Sequence, residues 1–331
     1  MLAARACMID EVRRRMVEEG VDALVLRPSP DFRYLGGQGE GYLVLDLHGP
    51  PAAAAGPLEA AALIPASARR VGVDSEMRAW ELFSLRVEAE LVLASAVLAP
   101  LRLHRGTAEV AATERAASAA DAVLLMAREL AWFGTTERAM ARRLWAMMVE
   151  TGCEEVLSVL VAAGEHSAVP RHVPCDRVIN PGDALLVSVC GRWGGHCSEV
   201  ARVFAVAEPP EDFEAMYSVV LAAQRAALDS LRPGVPAAEA GRAAREVIEG
   251  SGYGHYAAER PGRGVGLGHD EGPWLVPGDT TVLAAGMTVC VEPAIYLPEL
   301  FGARVADVAV CAPSGARRLS GSSQALHVID H

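Results

Sequence analysis

The apolar residues of the first hundred positions alternate between the spacing of a helix and that of a strand. From Met8 to Met16 they recur every four residues, which predicts a helix, and Gly20 is suited to close it in a left-handed conformation. Short apolar runs at 21–26 and 41–47 predict strands, because turn-forming residues bound each of them. Further runs of both kinds follow, so the pattern indicates a small α/β domain.

The segment APLRLHRGTAEV, residues 99–110, marks the boundary between this part and a region in which the elements are ordered differently. Beyond it, strands and helices are grouped rather than alternating, which favours an α+β domain, and the final third is rich in glycine. The predicted helices cover 108–131, 137–150, 212–231 and 236–249, and the predicted strands cover 156–162, 184–190 and 200–206. A chain of 331 residues is long for one core, so we predict two domains, 1–105 and 106–331.

The composition is that of a globular protein with an acidic excess. The chain is 51% apolar and 22% charged and carries a net charge of −12, which argues against nucleic acid or an anionic membrane as its main partner. The first sixteen residues lack the apolar core of a signal peptide, and the longest apolar run, near 91–101, is too short to cross a bilayer. The seven cysteines form no Cys-x-x-Cys pair, and Cys190, Cys197 and Cys290 lie in strand-like runs typical of a core. We predict a soluble, reduced, cytoplasmic protein.

The chain contains no lysine, since all 30 of its basic residues are arginine. This excludes Schiff-base chemistry on a lysine and a phosphate-binding loop of the lysine-containing kind. The abundance of Ala, Arg, Gly and Pro is typical of GC-rich coding DNA and would suit an enzyme of secondary metabolism.

Three segments occur in an order that is typical of one family. They are VAAGEHSAVPRHVPCDRVINPGDALLVSVCGRWGGHCSEVARVF at 161–204, GRGVGLGHDEGPWL at 262–275, and AAGMTVCVEPAIY with GARVADVAV within 284–310. They resemble the metal-binding blocks of the pita-bread-fold metallopeptidases, and EEGVDALVLRPSPDFRYLGG near the start resembles the amino-terminal domain of aminopeptidase P, prolidase and creatinase. The glycine run of the second segment lacks the strand and helix of a dinucleotide loop. The resemblance implies a creatinase-type amino-terminal α/β domain over 1–105, an α+β pita-bread domain over 106–331, and a homodimer.

The resemblance also implies where metal ligands would lie. The metallopeptidases of the family hold two divalent ions with two Asp, one His and two Glu, and these positions fall on Ser188, Glu199, Arg263, Glu292 and Ala306. Only Glu292 is identical, and Glu199 is a conservative replacement. Two carboxylates cannot replace five ligands, and a permanent cation at Arg263 opposes a metal ion. We therefore predict no metal and no cofactor.

Polar residues crowd the same segments and predict a pocket for acid–base chemistry. Creatinase, which belongs to the family, works without metal on a C–N bond. The predicted catalytic residues are His172, Glu199, His269 and Glu292. The predicted substrate-binding residues are Arg33, Tyr34, Arg171, Ser188, His196, Arg263, Asp270 and Arg304. Arg33 and Tyr34 lie where the amino-terminal domain of relatives reaches over a partner's pocket, which implies a role in a lid.

Three functions remain open on the sequence. The favoured one is a metal-independent, creatinase-like enzyme that cleaves, cyclises or rearranges a C–N or neighbouring bond of a small polar molecule. The second is a non-catalytic binding protein that keeps the pocket, and the third is an active metal-dependent Xaa-Pro peptidase. Arg263 is the pivotal residue, since beside Glu199 and Glu292 it would be either a substrate clamp or a buried salt bridge that fills the old metal cavity.

Overall fold

The computed structural model describes residues 2–330 of the chain, and the side chains of residues 7–330. The chain divides into two compact units, one ending at Leu103 and the other beginning at His104. The predicted domain boundary, between residues 105 and 106, lies two residues further along the chain than this division. We retain the assignment of the two units to a creatinase-type domain and a pita-bread domain as a proposal.

The amino-terminal unit is built on a five-stranded mixed sheet in the order β3-β2-β1-β4-β5. Its elements are α1 (Leu2–Glu18), β1 (Ala23–Leu26), α2 (Pro30–Tyr34), β2 (Tyr42–Asp46), β3 (Ala52–Ala54), α3 (Pro57–Ala62), β4 (Arg70–Val73), α4 (Ala79–Leu85), β5 (Glu90–Leu93) and α5 (Ser95–Leu103). The predicted first helix is present, with Val12 and Met16 fully buried. Gly20 follows it at φ +64°, the left-handed conformation that glycine adopts at least cost.

The carboxy-terminal unit combines helices with two larger sheets and a hairpin. Its elements are α6 (Thr107–Ala127), α7 (Glu137–Glu150), β6 (Glu155–Ala163), a 3₁₀ helix (Gly164–Ala168), β7 (Ala184–Trp193), β8 (His196–Val206), α8 (Phe213–Ser230), α9 (Ala237–Gly250), a 3₁₀ helix (Gly254–Tyr256), β9 (Gly262–Gly264), β10 (Glu271–Trp274), β11 (Thr288–Val291), β12 (Ala294–Leu297), β13 (Phe301–Arg304), β14 (Asp307–Ala312), β15 (Gly315–Arg318) and β16 (His327–Ile329). The predicted helix over 108–131 ends earlier, at Ala127. There the chain turns so that Trp132 is fully buried, and its indole N–H donates to the Ala127 carbonyl at 2.7 Å.

The two larger sheets run in the orders β16-β8-β7-β6 and β10-β9-β11-β14-β15. A backbone bridge joins them, in which Ala201 on β8 and the residue before β14, Ala306, exchange hydrogen bonds of 3.2 and 3.3 Å. Helices α6 and α7 cover one face of the first sheet, where Leu144, Val187 and Phe204 belong to one buried apolar cluster. The opposite face of β7 and β8 is therefore the one that meets the second sheet.

Two sequence expectations concern the chain as a whole. No helix within residues 2–330 has both the length and the apolar character needed to span a membrane. All seven cysteines are free thiols, and Cys190, Cys197 and Cys290 are buried, as their strand-like surroundings predicted.

Candidate functional site

The alternation of side chains along β7 and β8 places Ser188 and Glu199 on the face away from the helices. Val187 and Val189 on β7 and Val200 on β8 point into the cluster under α6 and α7, so their neighbours point the other way. Ser188 Oγ donates a hydrogen bond to Glu199 Oε1 at 2.9 Å, and both side chains are buried.

The second sheet brings a cation and a carboxylate to the same place. Arg263 on β9 pairs with Cys290 on β11 across an antiparallel ladder, and Glu292 follows β11 directly. The Glu292 amide donates to the Pro261 carbonyl at 2.7 Å, which fixes the main chain there. Arg304 ends β13, the partner of the short strand that begins at Ala294.

These strands close a ring of four charged side chains, Arg263, Glu199, Arg304 and Glu292, called the Arg–Glu ring below. The Arg263 guanidinium donates through one Nη to Glu292 and through the other to Glu199. Arg304 Nη2 lies 3.1 Å from the second oxygen of Glu199, and Arg304 Nη1 lies 3.3 Å from the second oxygen of Glu292. Each arginine thus bridges both carboxylates, and the formal charges sum to zero.

Burial sets the electrostatics of the ring. The side chains of Arg263, Glu199 and Glu292 are 6–7% exposed, and that of Arg304 is 17% exposed. Burial works to raise the pKa of Glu199, but the two guanidiniums outweigh it and hold that pKa at about 2. Burial and the negative charge of Glu199 leave the pKa of Glu292 above its usual value, so Glu292 is the weaker acid of the two. The two carboxylates raise the pKa of both arginines against the opposing effect of burial.

Two neighbouring residues hold Arg263 from its Nε side. The His269 carbonyl accepts from Arg263 Nε at 2.9 Å, and Asp270 Oδ1 lies 3.2 Å from the same nitrogen. Both His269 and Asp270 are exposed, and Arg260 also contacts Asp270, at 2.9 Å. The main chain of His269, not its imidazole, therefore contacts the ring. The contacts of the ring do not include the His269 imidazole, so its catalytic role stays a prediction.

The donors present do not suit the two divalent ions that the resemblance implies. Ala306 offers no side-chain ligand, and its carbonyl accepts from Arg202 Nη1 at 3.0 Å. Ligand atoms of Glu199, Cys290 and Glu292 lie within 4.8 Å of one another, but both carboxylates already accept from two guanidiniums. Burial and the charge of Glu292 raise the pKa of Cys290 well above its usual value, so that thiol keeps its proton. The Arg263 cation between the carboxylates would repel an ion of the same sign.

The structure brings together Ser188, Glu199, Arg263, Asp270, Glu292 and Arg304, and the contacts described above include none of the other predicted side chains. Arg171 is exposed on the loop after the first 3₁₀ helix. His196 begins β8, where its Nδ1 lies 3.1 Å from the Gly194 carbonyl, and burial lowers its pKa. Arg33 and Tyr34 belong to α2 of the amino-terminal unit. Their role in a lid stays a prediction.

His172 belongs to a second group of polar side chains, Glu137, His166, His172 and Cys175, called the His–Cys cluster below. His172 Nε2 lies 2.7 Å from one oxygen of Glu137, and His166 Nδ1 lies 3.0 Å from the other. His172 Nε2 therefore faces Glu137, and the catalytic role predicted for His172 stays a prediction. Sequence reasoning overlooked Glu137 and Cys175, although the spacing His-x5-His-x2-Cys after a glutamate at a helix start was a usable signal.

Comparison with known proteins gives a consistent set of relatives. Residues 111–313 match metallopeptidase family M24. The "Probable dipeptidase PepE" of Mycobacterium tuberculosis is 32% identical over 349 aligned positions, which span 94% of this chain and 93% of that protein. The "Xaa-Pro dipeptidase" of Pyrococcus furiosus is 33% identical over 70% of this chain and 66% of that protein. The crystal structure of dipeptidase PepE from Mycobacterium ulcerans is 31% identical, with a TM-score of 0.89 and 99% of each chain covered.

These relatives confirm the predicted fold, an α/β amino-terminal part with an α+β pita-bread part, and correct the predicted function. The favoured prediction of a creatinase-like, metal-independent hydrolase, lyase or cyclase in biosynthesis is wrong, because relatives spanning nearly the whole chain are named dipeptidases. The geometry supplies a physical reason. All four oxygens of Glu199 and Glu292 are paired with guanidiniums, so neither carboxylate is free to take a proton from a substrate.

Proposed function

The chain belongs to metallopeptidase family M24, and on that premise we propose that it binds a short peptide, of dipeptide size, at the Arg–Glu ring. The ligand class follows from the relatives, which are named dipeptidase and Xaa-Pro dipeptidase and align with most or nearly all of the chain. The binding group follows from the ring, since a zwitterionic peptide carries one carboxylate and one ammonium group. Arg304 of the ring offers a guanidinium for the first, and Asp270 beside the ring offers a carboxylate for the second.

The observation that carries the proposal is an unsatisfied donor on the ring. Arg304 Nε is buried and has no hydrogen-bond partner among the described residues, while its side chain keeps 17% of its surface exposed. A buried donor without a partner costs free energy, so a site of this kind favours a ligand that supplies an acceptor. The carboxylate of a peptide is such an acceptor. Asp270, which is exposed beside Arg263, is placed to accept from the amino group.

The same geometry limits what the site does after binding. Arg263 occupies the place that the resemblance assigns to a metal-binding histidine, and it fills the space between the two carboxylates. A water activated between two metal ions has no room or ligand set there. The ring therefore binds and orients the peptide, and it does not supply the hydrolytic centre of the two-metal type.

Calorimetric titration with a panel of dipeptides, both Xaa-Pro and others, tests this proposal. We expect saturable binding that Arg263→Lys weakens roughly tenfold to a hundredfold, because Lys keeps the charge but loses the planar fork. Arg242→Ala is the matched control, since Arg242 forms only surface ion pairs with Glu239 and Glu246 on α9. Binding equal in the wild type and in Arg263→Lys would place the peptide elsewhere.

Hydrolysis of the same dipeptides, followed by chromatography with and without added Mn²⁺, Co²⁺ or Zn²⁺, tests the second half of the proposal. We expect intact peptide after incubation under all conditions. Turnover that depends on about two bound ions per chain would make the protein a metal-dependent dipeptidase and overturn the non-hydrolytic assignment.

Two statements about the surroundings of the protein remain proposals. A homodimer, with Arg33 and Tyr34 of one protomer facing the pocket of its partner, rests on the resemblance to creatinase-like proteins. The cytoplasmic location rests on the sequence composition and on the kind of relatives found.

A further inference from the structure

The His–Cys cluster lies where a loop is fixed to the start of helix α7. The Glu137 amide donates to the Arg177 carbonyl at 3.1 Å, and the Arg138 amide donates to the Cys175 carbonyl at 2.9 Å. These two bonds run between the first turn of the helix and the segment that carries Cys175. Cys175 is therefore held beside Glu137 by the main chain, whatever its own side chain contacts.

Glu137 is a buried carboxylate whose two oxygens are held in place by backbone amides. Its side chain has no exposed surface, and its oxygens accept from the backbone amides of Ala163 at 2.9 Å and Cys175 at 3.2 Å. These two amide donors fix the direction of the carboxylate.

Three side-chain atoms, two imidazole nitrogens and one sulfur, converge on this carboxylate. His166 Nδ1 lies 3.0 Å from one Glu137 oxygen, and His172 Nε2 lies 2.7 Å from the other. Cys175 Sγ lies 3.3 Å from the second oxygen and 3.9 Å from His166 Nδ1. One ligand atom from each residue falls within 4.8 Å of all the others. Ligand atoms around tetrahedral Zn²⁺ are separated by roughly 3.3 to 3.6 Å, given its usual bond lengths, so small side-chain shifts would complete that geometry.

The arrangement differs from a Cys-His-Glu catalytic triad. In a triad, the two nitrogens of one imidazole face opposite ways, one to the nucleophile and the other to the carboxylate. Here one nitrogen of His166, Nδ1, contacts both Cys175 and Glu137, and a second imidazole, His172, contacts the same carboxylate. Side chains that converge on one point in this way suit a shared cation.

We propose that Glu137, His166, His172 and Cys175 form a structural zinc site, separate from the Arg–Glu ring. The ligand types select the ion, because one thiolate and two imidazoles suit Zn²⁺ and related transition metals, whereas Mg²⁺ and Ca²⁺ prefer oxygen. Four protein ligands leave no open position, which is the pattern of a structural rather than a catalytic site. On binding, the Cys175 thiol gives its proton to solvent and the thiolate bonds to the ion. The proposal does not rest on peptide binding at the ring.

A second carboxylate lies near the other ring nitrogen of His166. Glu165 Oε1 lies 4.0 Å from His166 Nε2, the ring nitrogen turned away from the cluster. Arg177 holds Glu165 in place with two hydrogen bonds of 2.9 and 2.8 Å. Zinc-binding histidines commonly direct their second nitrogen to such a carboxylate, which fixes the tautomer.

Zinc binding by the full-length protein tests the proposal directly. The protein is stripped with EDTA and titrated with Zn²⁺, and then with Co²⁺, whose thiolate complexes absorb by charge transfer. We expect one ion per chain, a thiolate-to-cobalt band, and a higher melting temperature with Zn²⁺ than with EDTA. Cys175→Ser should abolish the band, and His172→Ala should weaken Zn²⁺ binding at least about a hundredfold, because each removes a direct ligand.

Matched variants separate this site from the others. Cys153→Ser, which changes another partly buried cysteine, should leave the cobalt band and Zn²⁺ affinity as in the wild type. Cys175→Ser and His172→Ala change partly buried residues, and their melting temperatures in EDTA show whether they remain folded. Loss of the band in Cys290→Ser but not in Cys175→Ser would place the ion at the ring and overturn the proposal. So would a wild-type protein that binds no Zn²⁺, or unchanged affinity in both cluster variants.

Discussion

Arg263 on β9 and Glu292, which directly follows the neighbouring strand β11, form a buried ion pair in the place that the resemblance assigns to metal ligands. The same guanidinium contacts Glu199 on the other sheet, so one residue connects the two carboxylates that survive from the implied ligand set. The charge of Arg263 therefore balances the two buried carboxylates, and removing it is the most direct test of the site.

Arg263→Ala should reduce the free energy of unfolding by about 3–5 kcal/mol, because it leaves two buried carboxylates with only Arg304 to balance them. Chemical denaturation at neutral pH measures this change. Arg242→Ala, which removes exposed ion pairs, should change the same quantity by less than about 0.5 kcal/mol. Equal unfolding midpoints for Arg263→Ala and the wild type would show that the ion pair does not form in solution.

Acid should destabilise the wild type more than Glu199→Gln. The pKa of Glu199 is held at about 2 in the folded state, below its usual value of 4.5, so its ionised form stabilises the fold. That contribution is complete above pH 4.5 and is lost as the pH falls towards 2. Glu292, whose pKa is raised, acts in the opposite sense and favours the fold at low pH.

The measurement is the free energy of unfolding as a function of pH for both proteins. Between pH 4.5 and 2 the curve of the wild type should fall more steeply than that of Glu199→Gln. Parallel curves over this interval would mean that Glu199 is not held as an ion by the two guanidiniums.

Light scattering should report a particle of twice the mass of one chain. This expectation comes from the resemblance to creatinase-like dimers, in which the amino-terminal domain of one chain borders the pocket of the other. A dimer in which Arg33→Ala weakens peptide binding would support the role of Arg33 and Tyr34 in a lid. A monomer at micromolar concentration would remove the basis for that role.

The sequence predicted the strands of the site well, because their positions follow from simple patterns. The apolar runs at 184–190 and 200–206 located most of β7 and the second part of β8, although Glu199 lies just before the second predicted run. The sequence also suggested that Arg263 pairs with Glu292. Both residues fall on implied metal-ligand positions, and such positions meet in one cavity. Arg304 was predicted only as a binding residue, and nothing in the sequence shows that it contacts both carboxylates.

The position of His172 could not be predicted in the same way. It adjoins the position where the family has a catalytic histidine, and sequence order alone does not show which way a loop side chain points. The loop is bound to the first turn of α7 through main-chain bonds at Glu137 and Arg138, which are contacts over more than thirty residues of sequence. That long-range pairing places the loop beside Glu137, the residue that His172 contacts.

A restored ligand set should convert the binding site into a metal centre. The four substitutions Ser188→Asp, Glu199→Asp, Arg263→His and Ala306→Glu, together with the native Glu292, recreate the two Asp, one His and two Glu that the resemblance implies. They remove the cation between the carboxylates and add two negative charges, so two divalent ions can be balanced.

We expect about two Mn²⁺ per chain by elemental analysis and release of free amino acids from Xaa-Pro dipeptides. Arg263→His alone should bind far less metal, because Ser188 and Ala306 still lack ligand groups, and it serves as the control. A folded quadruple variant, judged by circular dichroism, that binds no more Mn²⁺ than Arg263→His would show that the implied positions do not converge on a metal site in this chain.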